Sequence, residues 1–277
     1  MNKSSKIKNT ACKIRVSNVK ILRNKETVAL AHTAVITIGV VVSLVLAVSI
    51  HGHRIFDFTR RSTELESVKE SMVLFGESVE SVAWVPEAAS KVRFSSKVGC
   101  LQLFSSVTNY NISFFMDGGE YVSLYSHPTS VVRYRIPNFP SPHEYEEYIK
   151  GDKGLITTLS EDLSRIALRT DEGWATMTLD FKIRVVHIPN TVIQGEIVDL
   201  IKIWVIILNT PNKGYKREFD LKALGNKTFG NLSPQPYAGA NATITVGLWQ
   251  QQDSISFKIH SSKVYFQLIV GEVDVYV

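Results

Sequence analysis

Residues 28–50 read VALAHTAVITIGVVVSLVLAVSI, a run without Asp, Glu, Lys or Arg. At about 1.5 Å rise per residue, its 23 residues would form roughly 35 Å of helix, enough to cross a hydrocarbon core of about 30 Å. The run therefore predicts a transmembrane helix over 28–50. It is longer than the apolar region of a secretory signal, roughly 7–15 residues, which favours a retained anchor over a cleaved signal peptide.

The residues on either side of this run differ in charge. Residues 1–27 hold eight Lys or Arg and a single Glu, a net charge of +7, whereas the other 250 residues hold 23 basic and 25 acidic side chains. Basic residues concentrate on the cytoplasmic side of membrane helices. We therefore expect a basic cytoplasmic leader at 1–27 and an extracellular location for everything after the helix. The high pI reflects this leader and does not predict binding to nucleic acid.

An amphipathic pattern follows the apolar run. Beyond a short polar stretch at His51–Arg54, apolar residues form a stripe that from Leu65 onward recurs at steps of three and four, which is typical of a helix with one buried seam. No proline occurs before Pro86, so the pattern predicts one long helix that includes an amphipathic stalk over 51–85. The seam consists of Ile55, Phe58, Leu65, Val68, Met72, Phe75, Val79 and Val82.

This seam is the main candidate for a functional surface. Large apolar side chains left in water forfeit about 1.5–3 kcal/mol each, so something must cover them. We expect the part at 72–82 to pack on the chain's own C-terminal domain, and a seam covered in this way needs no partner. The part nearer the membrane is the candidate partner surface, and it comprises Phe58, Leu65 and Val68.

A second candidate surface lies within the apolar run. Gly39, Ser43 and Ala47 recur every four residues and would share one face of the helix. Small residues at this spacing let membrane helices approach closely, so this face could mediate self-association. Because membrane helices are rich in small residues, the alternative of a chance pattern stays open.

Beyond Pro86 the sequence changes to short alternating strands bounded by turn residues. Asp117-Gly118-Gly119 and Asp171-Glu172-Gly173 predict two hairpins, because glycine accepts positive φ. We expect the domain at 86–277 to be a mainly antiparallel β-sandwich, and the chain as a whole to be α+β.

Four segments of this domain carry more specific predictions. Residues 197–208 are apolar at nearly every position, which indicates a strand buried on both faces, with a helix as the alternative. Residues 175–186 alternate as one long hairpin arm. Residues 143–163 are predicted to be polar and partly helical, and residues 209–242, rich in Asn, Gly, Pro and Lys, are predicted to be loop.

The order of basic leader, apolar helix, Glu-rich amphipathic helix and β-rich domain resembles the archaeal type IV pilin-like cell-surface proteins. The resemblance rests on residues 62–72, STELESVKESM, on residues 79–83, VESVA, and on the alternating final strand at 273–277. It implies a subunit or minor component of a surface filament or adhesive assembly, with further copies or other pilin-like subunits as partners. The alternative is a single-pass anchor that presents a monomeric β-sandwich binding module.

The sequence contains no motif for catalysis, cofactors or metals. Its seven histidines lack the spacing of a metal pair, and no G-x-S-x-G, P-loop or dinucleotide fingerprint is present. We therefore expect a non-enzyme. The four tryptophans fall at a helix end or in predicted strands, where core placement is the default, and a carbohydrate-stacking surface would need two or three of them exposed together.

Four Asn-x-Ser/Thr sequons would lie outside the cell in this topology. They are candidate glycosylation sites and belong in accessible surface segments. Their asparagines are Asn111, Asn226, Asn231 and Asn241.

Overall fold

The computed structural model of the chain describes residues 25–277 except 118, 120, 138, 140–143, 159–162, 172, 211–214, 217 and 237–240. Most of the predicted basic leader, 1–27, therefore lies outside the described residues. The chain divides into two compact units, Met1–Ile55 and Phe56–Val277.

A single α-helix, α1, runs over Lys25–Ala83. It continues without a break through the polar stretch His51–Arg54, so the prediction of one long helix is confirmed. Polar side chains do not interrupt the backbone hydrogen bonds of a helix, whereas proline does, and no proline lies within α1. The helix ends before Pro86, as predicted.

The first unit contains the apolar part of α1. Among the described residues this is the one helix long and apolar enough to span a membrane, and the side chains at 32–55 are all exposed. Two of its hydroxyl groups bond within the helix: Thr37 donates to the Thr33 carbonyl and Ser43 to the Gly39 carbonyl, both at 2.8 Å. The apolar N-terminal helix is thus confirmed as a helix.

The second unit is rich in β-strands, as predicted. The strands are β1 (Ala89–Ser95), β2 (Cys100–Met116), β3 (Val122–Pro137), β4 (Tyr145–Lys150), β5 (Ile156–Thr157), β6 (Ser164–Asp171), β7 (Trp174–Phe181), β8 (Ile183–Ile193), β9 (Glu196–Asn209), β10 (Tyr215–Lys216), β11 (Glu218–Pro236), β12 (Asn241–Leu248), β13 (Gln251–Lys258) and β14 (Lys263–Tyr276). They form a six-stranded sheet in the order β1-β11-β14-β9-β8-β5 and an eight-stranded sheet in the order β13-β12-β2-β3-β7-β6-β4, with β10 beside β2. Pairing is antiparallel except at β14–β9 and β5–β8.

Both predicted hairpins are confirmed. β2 and β3 pair with Phe114 opposite Val122, and β6 and β7 pair with Asp171 opposite Trp174. The apolar run at 197–208 is a strand, within β9, and its backbone pairs with β8 on one side and β14 on the other. Burial on both faces explains why this strand lacks polar alternation.

The loop predicted at 209–242 is wrong, because most of its described residues form β11, a strand of 19 residues. Its Gly, Asn and Pro content is unfavourable for a strand, but β14 pairs with it along almost its whole length, and such pairing overrides local propensity. Pro234 and Pro236 lie in the part that β1 does not reach, which is an edge, where proline is tolerated.

Two further predictions are corrected. The described residues of 143–163 contain β4 and β5 rather than a helix. The run at 175–186 is divided at Lys182, because β7 belongs to the eight-stranded sheet and β8 to the six-stranded sheet. The buried Lys182 forms an ion pair with Asp152 at 2.9 Å. Period-two alternation continues across this point, so the sequence pattern does not reveal the change of sheet.

From Leu65 to Val82, the amphipathic seam of α1 is buried in the second unit, in a hydrophobic cluster that contains residues of both sheets, whereas Ile55 is 65% exposed. Leu65 and Val68 are 5% and 1% exposed. The expectation that these two residues face a partner is corrected, because the β-strands cover the helix from residue 64 onward. Phe58, by contrast, is 49% exposed.

Gly76 lies inside this packed segment. A Cβ at residue 76 would lie 2.9 Å from the Ser164 Cβ and 3.4 Å from the Leu179 Cδ1. The helix can therefore approach β6 and β7 this closely only because residue 76 has no side chain.

A buried carboxylate fixes the first turn of the packed segment. Glu64 is 7% exposed, and its Oε1 accepts hydrogen bonds from the Gly99 amide at 2.7 Å and the Tyr134 hydroxyl at 2.6 Å. Its Oε2 accepts from the amides of Lys97 at 3.0 Å and Val98 at 2.9 Å. Burial opposes the charged form, but these hydrogen bonds outweigh burial and hold the pKa of Glu64 below its usual value.

We expect Glu64→Gln to lower the free energy of unfolding by about 1.5–3 kcal/mol, because the amide replaces charge-assisted hydrogen bonds with weaker ones. The folded-state pKa lies below the unfolded value of about 4.3, so the carboxylate's contribution is complete above that value and is lost as the pH falls through the folded pKa. Denaturant unfolding of the full chain in mild detergent, at pH 7 and at about pH 3, measures both effects.

The matched control is Glu66→Gln, which changes an exposed carboxylate on the same helix that pairs with Lys69 at 2.8 Å. An exposed helix pair of this kind contributes about 0.3–0.5 kcal/mol. Equal losses of stability in the two variants would contradict the role assigned to Glu64.

Candidate ligand-binding groove

The residues predicted for association belong to both units of the chain. Gly39, Ser43 and Ala47 are exposed, and their four-residue spacing places them on one face of α1. Phe58 is exposed in the second unit, whereas Leu65 and Val68 are buried there. The predicted partner surface is therefore reduced to Phe58 in that unit.

Three of the four sequon asparagines are exposed at the surface, namely Asn111, Asn226 and Asn241. The side chain of Asn231 lies outside the described residues. The Asn111 Oδ1 accepts a hydrogen bond from the Ser126 hydroxyl at 2.7 Å. The Asn241 Nδ2 donates to the Asp117 Oδ2, also at 2.7 Å.

A concave surface of about 740 Å³ lies on the eight-stranded sheet, and we call it the groove. Its floor is formed by β3, β7, β6 and β4, and one end is closed by the connection between β12 and β13. The size is within the range of ligand pockets in proteins, about 300–1,000 Å³. Its charged residues are Arg133, Arg135, Glu146, Arg165, Arg169, Asp171 and Asp180.

Strand alternation explains why these polar side chains share one face. On β3, the side chains of Val132, Tyr134 and Ile136 are fully buried in the core. The two arginines between them, Arg133 and Arg135, therefore point to the opposite face, because successive residues of a strand alternate between faces. The same alternation on β7 buries Ala175, Met177 and Leu179 and turns Thr176, Thr178 and Asp180 toward the groove.

The strand register arranges the groove residues in rows across the sheet. The first row contains Arg135, Thr176, Arg169 and Glu146. The second row contains Arg133, Thr178, Ala167 and Tyr148. Both rows begin with an arginine on β3 and continue with a hydroxyl group on β7, so the β3 side of the groove is the more basic.

Each arginine of β3 packs on an aromatic ring. The Arg135 guanidinium lies 4.2 Å from the centre of the Trp174 ring, and that of Arg133 lies 5.0 Å from Phe104 and 5.9 Å from Trp249. Neither arginine forms a salt bridge with a described carboxylate, and both Nε atoms are buried without a hydrogen-bond partner in this part of the chain. Burial, together with the charge of Arg135, lowers the pKa of Arg133. Because arginine stays protonated, the groove holds two positive charges that no described carboxylate neutralises.

Arg165, in contrast, is fully engaged within the chain. It is 4% exposed, and its Nε and Nη2 donate to the two carboxylate oxygens of Asp180 at 2.6 and 2.7 Å. Its Nη1 donates to the Lys153 carbonyl at 3.1 Å and to the Gln251 Oε1 at 2.9 Å. This network positions Gln251 at the end of the groove and makes Arg165 a structural residue of the site.

Trp249 stands at the same end of the groove and is 44% exposed. β12 and β13 pair up to Leu248 and Gln251, which leaves Trp249 and Gln250 as a two-residue loop. Trp249 has a φ of 56° at the first loop position, where hairpins with a single positive φ prefer glycine. The Trp249 amide donates to the Thr108 hydroxyl at 3.0 Å. A bulky residue held in this strained conformation is the kind of feature that clusters at binding sites.

Sequence reasoning missed the groove, although one signal was visible. The alternation of Arg133 and Arg135 with apolar residues predicts a polar face on β3, but nothing in it indicates which strands border that face. The default placement of tryptophan in the core is wrong for Trp249, because a turn position decides its exposure. The two tryptophans near the arginines, Trp174 and Trp249, are 75 residues apart in sequence. Only the order of strands in the sheet brings both of them to the groove.

A second polar cluster, away from the groove, is structural. The buried Asp199 accepts hydrogen bonds from the amides of His260 at 2.8 Å and Asn190 at 3.1 Å, and its Oδ2 lies 3.2 Å from the His187 Nε2. These bonds outweigh the effect of burial and lower the pKa of Asp199. In the described part of the chain, no group of three or more His, Cys, Asp or Glu could hold a metal ion.

Comparison with known protein families, with curated proteins and with solved structures finds no match to this chain. The functional argument therefore rests on two features of the chain itself. They are the burial of the helix seam and the composition of the groove.

The strained turn at Trp249 predicts that glycine is more stable than alanine at this residue, the reverse of the order expected where φ is negative. At residue 249 we expect the Gly variant to be more stable than the Ala variant by about 1 kcal/mol, because only glycine adopts positive φ without strain. Both variants remove the indole ring, so the difference between them isolates the backbone. Thermal and denaturant unfolding of the two variants measure it.

Gln250, whose φ is not positive, is the matched control. There we expect the opposite order, with the Ala variant more stable than the Gly variant by about 0.4–1 kcal/mol, because glycine loses more chain entropy on folding. The same order at both residues would contradict the strained turn.

Proposed function

We propose that this chain is a single-pass membrane-anchored protein that presents its β-rich domain as a ligand-binding module on the outer side of the cell membrane. In this arrangement the segment 28–50 crosses the bilayer, residues 1–27 lie in the cytoplasm, and 86–277 is extracellular. The lipid bilayer is then a permanent partner, and the groove is the surface available to a ligand.

The observation that carries this proposal is that the chain covers its own seam from Leu65 to Val82. Met72, Phe75 and Val79 have no exposed surface, and the strands of the second unit provide the apolar surface around them. A filament subunit would use an open seam to bind its neighbours, whereas a monomeric module has no need of one. Burial within the chain therefore favours the module.

The groove supports binding as the task of the module. The two sheets would act as the layers of a β-sandwich, since two hydrophobic clusters each contain residues of both. A packed scaffold of this kind keeps surface side chains in fixed positions. Arg165 and Asp180 are engaged with each other, so the groove offers charges for binding rather than a free acid–base pair for catalysis.

The proposed topology follows from the exposed apolar side chains and from charge. The side chains at 32–55 are exposed and largely apolar, and a bilayer is the environment in which such a helix is stable. The basic residues before it favour a cytoplasmic N-terminus. The sequons at Asn111, Asn226, Asn231 and Asn241 would then be available for glycosylation outside the cell.

Cysteine labelling in intact cells tests the topology. In a variant that lacks Cys12 and Cys100, a cysteine introduced at the exposed Ser262 should react with a membrane-impermeant maleimide. In a Cys100→Ser variant, Cys12 should react only after the membrane is permeabilised. Reaction of Cys12 in intact cells, with protection of residue 262, would establish the reverse orientation.

A second candidate function is a pilin-like subunit of a surface assembly. It is favoured by the exposure of Phe58 and of the small-residue face formed by Gly39, Ser43 and Ala47. Small faces of this kind permit close helix contacts in a bilayer. In this case association would use α1, and the β domain would be displayed.

The oligomeric state separates the two candidates. We expect the full chain to be a monomer in mild detergent and in nanodiscs, because its seam is already covered from Leu65 to Val82, and mass photometry measures this directly. A stable oligomer that Gly39→Leu or Phe58→Ser disperses would establish the second candidate. Leu74→Ser is the matched control, because Leu74 is also an exposed apolar residue of α1.

A further inference from the structure

We propose that the groove binds an acidic polysaccharide, with carboxylate groups of the sugar chain on Arg133 and Arg135 and a sugar ring on Trp249. This inference rests on the proposed function, since it names the ligand of the module presented outside the cell. It is drawn from the charge, the aromatic rings and the hydrogen-bonding groups of the groove.

The charge of the two β3 arginines requires an anionic partner. Neither forms a salt bridge with a described carboxylate, and each has a buried Nε without a hydrogen-bond partner among the described residues. A guanidinium donates two parallel hydrogen bonds to a carboxylate. The arginines are two residues apart on one strand, so their Cα atoms are separated by roughly 7 Å. A chain that carries repeated carboxylates can reach both.

The aromatic rings select a ligand with apolar faces. The Trp249 ring is partly exposed beside Arg133, and Trp174 lies beside Arg135. A sugar ring presents a face of C–H groups that packs on an aromatic face, while its hydroxyl groups point sideways. A charged group and a ring thus occur together at both arginines, as a chain of acidic sugars requires.

The remaining lining residues favour hydroxyl groups over a phosphate backbone. Thr176 and Thr178 lie in the two rows between the arginines and β6, and Gln250 and Gln251 lie at the end beside Trp249. Neutral groups of this type donate to and accept from sugar hydroxyls.

The carboxylates of the groove favour a sugar chain over a nucleic acid. Glu146, Asp171 and Asp180 also line it, against four arginines. Nucleic-acid sites are much more strongly positive, because each bound phosphate needs a basic partner. These carboxylates can accept hydrogen bonds from the hydroxyl groups of a sugar chain, whereas the backbone of a DNA strand carries no hydroxyl groups to donate them.

Binding to defined oligosaccharides tests the inference. The full chain in nanodiscs is titrated calorimetrically with a galacturonic acid hexamer, with the neutral maltohexaose, and with a hexamer of thymidine nucleotides, each at low and moderate salt. We expect the acidic sugar to bind, with weaker affinity at higher salt, and the other two to bind at least tenfold more weakly.

Single substitutions locate the site. Arg133→Gln and Arg135→Gln should each weaken binding of the acidic hexamer about tenfold or more, and Trp249→Gly should weaken it while the domain stays folded. Arg93→Gln is the matched control, because Arg93 is an exposed arginine on β1 outside the groove. The Arg93→Gln variant should bind the acidic hexamer with the same affinity as the unaltered chain. Thermal unfolding of each variant checks that the fold is retained. If Arg133→Gln unfolds, Arg133→Lys, which keeps the positive charge, is measured in its place.

Three results would overturn the inference. They are unchanged affinity in the Arg133 and Arg135 variants, equal binding of maltohexaose, and binding of the thymidine hexamer in place of the sugar. If none of the three probes binds, the assigned class of ligand is also wrong. These outcomes are independent of cysteine labelling at residue 262, so failure of the ligand assignment and failure of the proposed topology can be told apart.

Discussion

Burial of the α1 seam is the interaction on which the β domain depends. Met72, Phe75 and Val79 are fully buried in a cluster that also contains Leu101, Leu179, Ile206 and Val273, from β2, β7, β9 and β14. The helix is therefore part of the core of both sheets rather than a separate stalk. Full burial of one such side chain contributes about 1.5–3 kcal/mol, and the seam provides several, so the sheets and the helix must fold together.

Polar and steric contacts at the two ends of the packed segment fix the helix along its axis. At one end the Glu64 carboxylate accepts hydrogen bonds from three successive amides, those of residues 97–99. At the other end, a Cβ at Gly225 or Gly271 would collide with backbone carbonyls of Val82, Val85 and Ala83. Displacement of the helix by one turn would both leave the carboxylate buried without partners and force these backbones apart. The register of helix and sheets is therefore specified at both ends.

The sequence predicts those elements whose signal is local. Apolar periodicity identifies α1, and glycine-containing turns identify the hairpins β2–β3 and β6–β7. Features that depend on distant partners are not predictable in this way. β11 is a strand because β14 pairs with it. The run at 175–186 passes from one sheet to the other at Lys182 without a change in its alternation. The groove belongs to the second class. Its arginines can be placed on a common face from their spacing, but their proximity to Trp174 and Trp249 arises from the order of strands, and the exposure of Trp249 arises from a strained turn.

Tyr134 connects the core to the groove. Tyr134 lies between Arg133 and Arg135 on β3, and its side chain points into the core, where its hydroxyl donates to the Glu64 Oε1 at 2.6 Å and lies 2.7 Å from the Ser96 hydroxyl oxygen. Burial and the neighbouring Glu64 carboxylate raise the pKa of Tyr134, so the phenol keeps its proton and remains a donor. Arg133, Tyr134 and Arg135 are consecutive residues of one strand. The hydrogen bond that holds Tyr134 against the helix therefore also fixes the Cα positions of both arginines. The contact that ties the helix to the eight-stranded sheet thus determines where the two unneutralised charges of the groove stand.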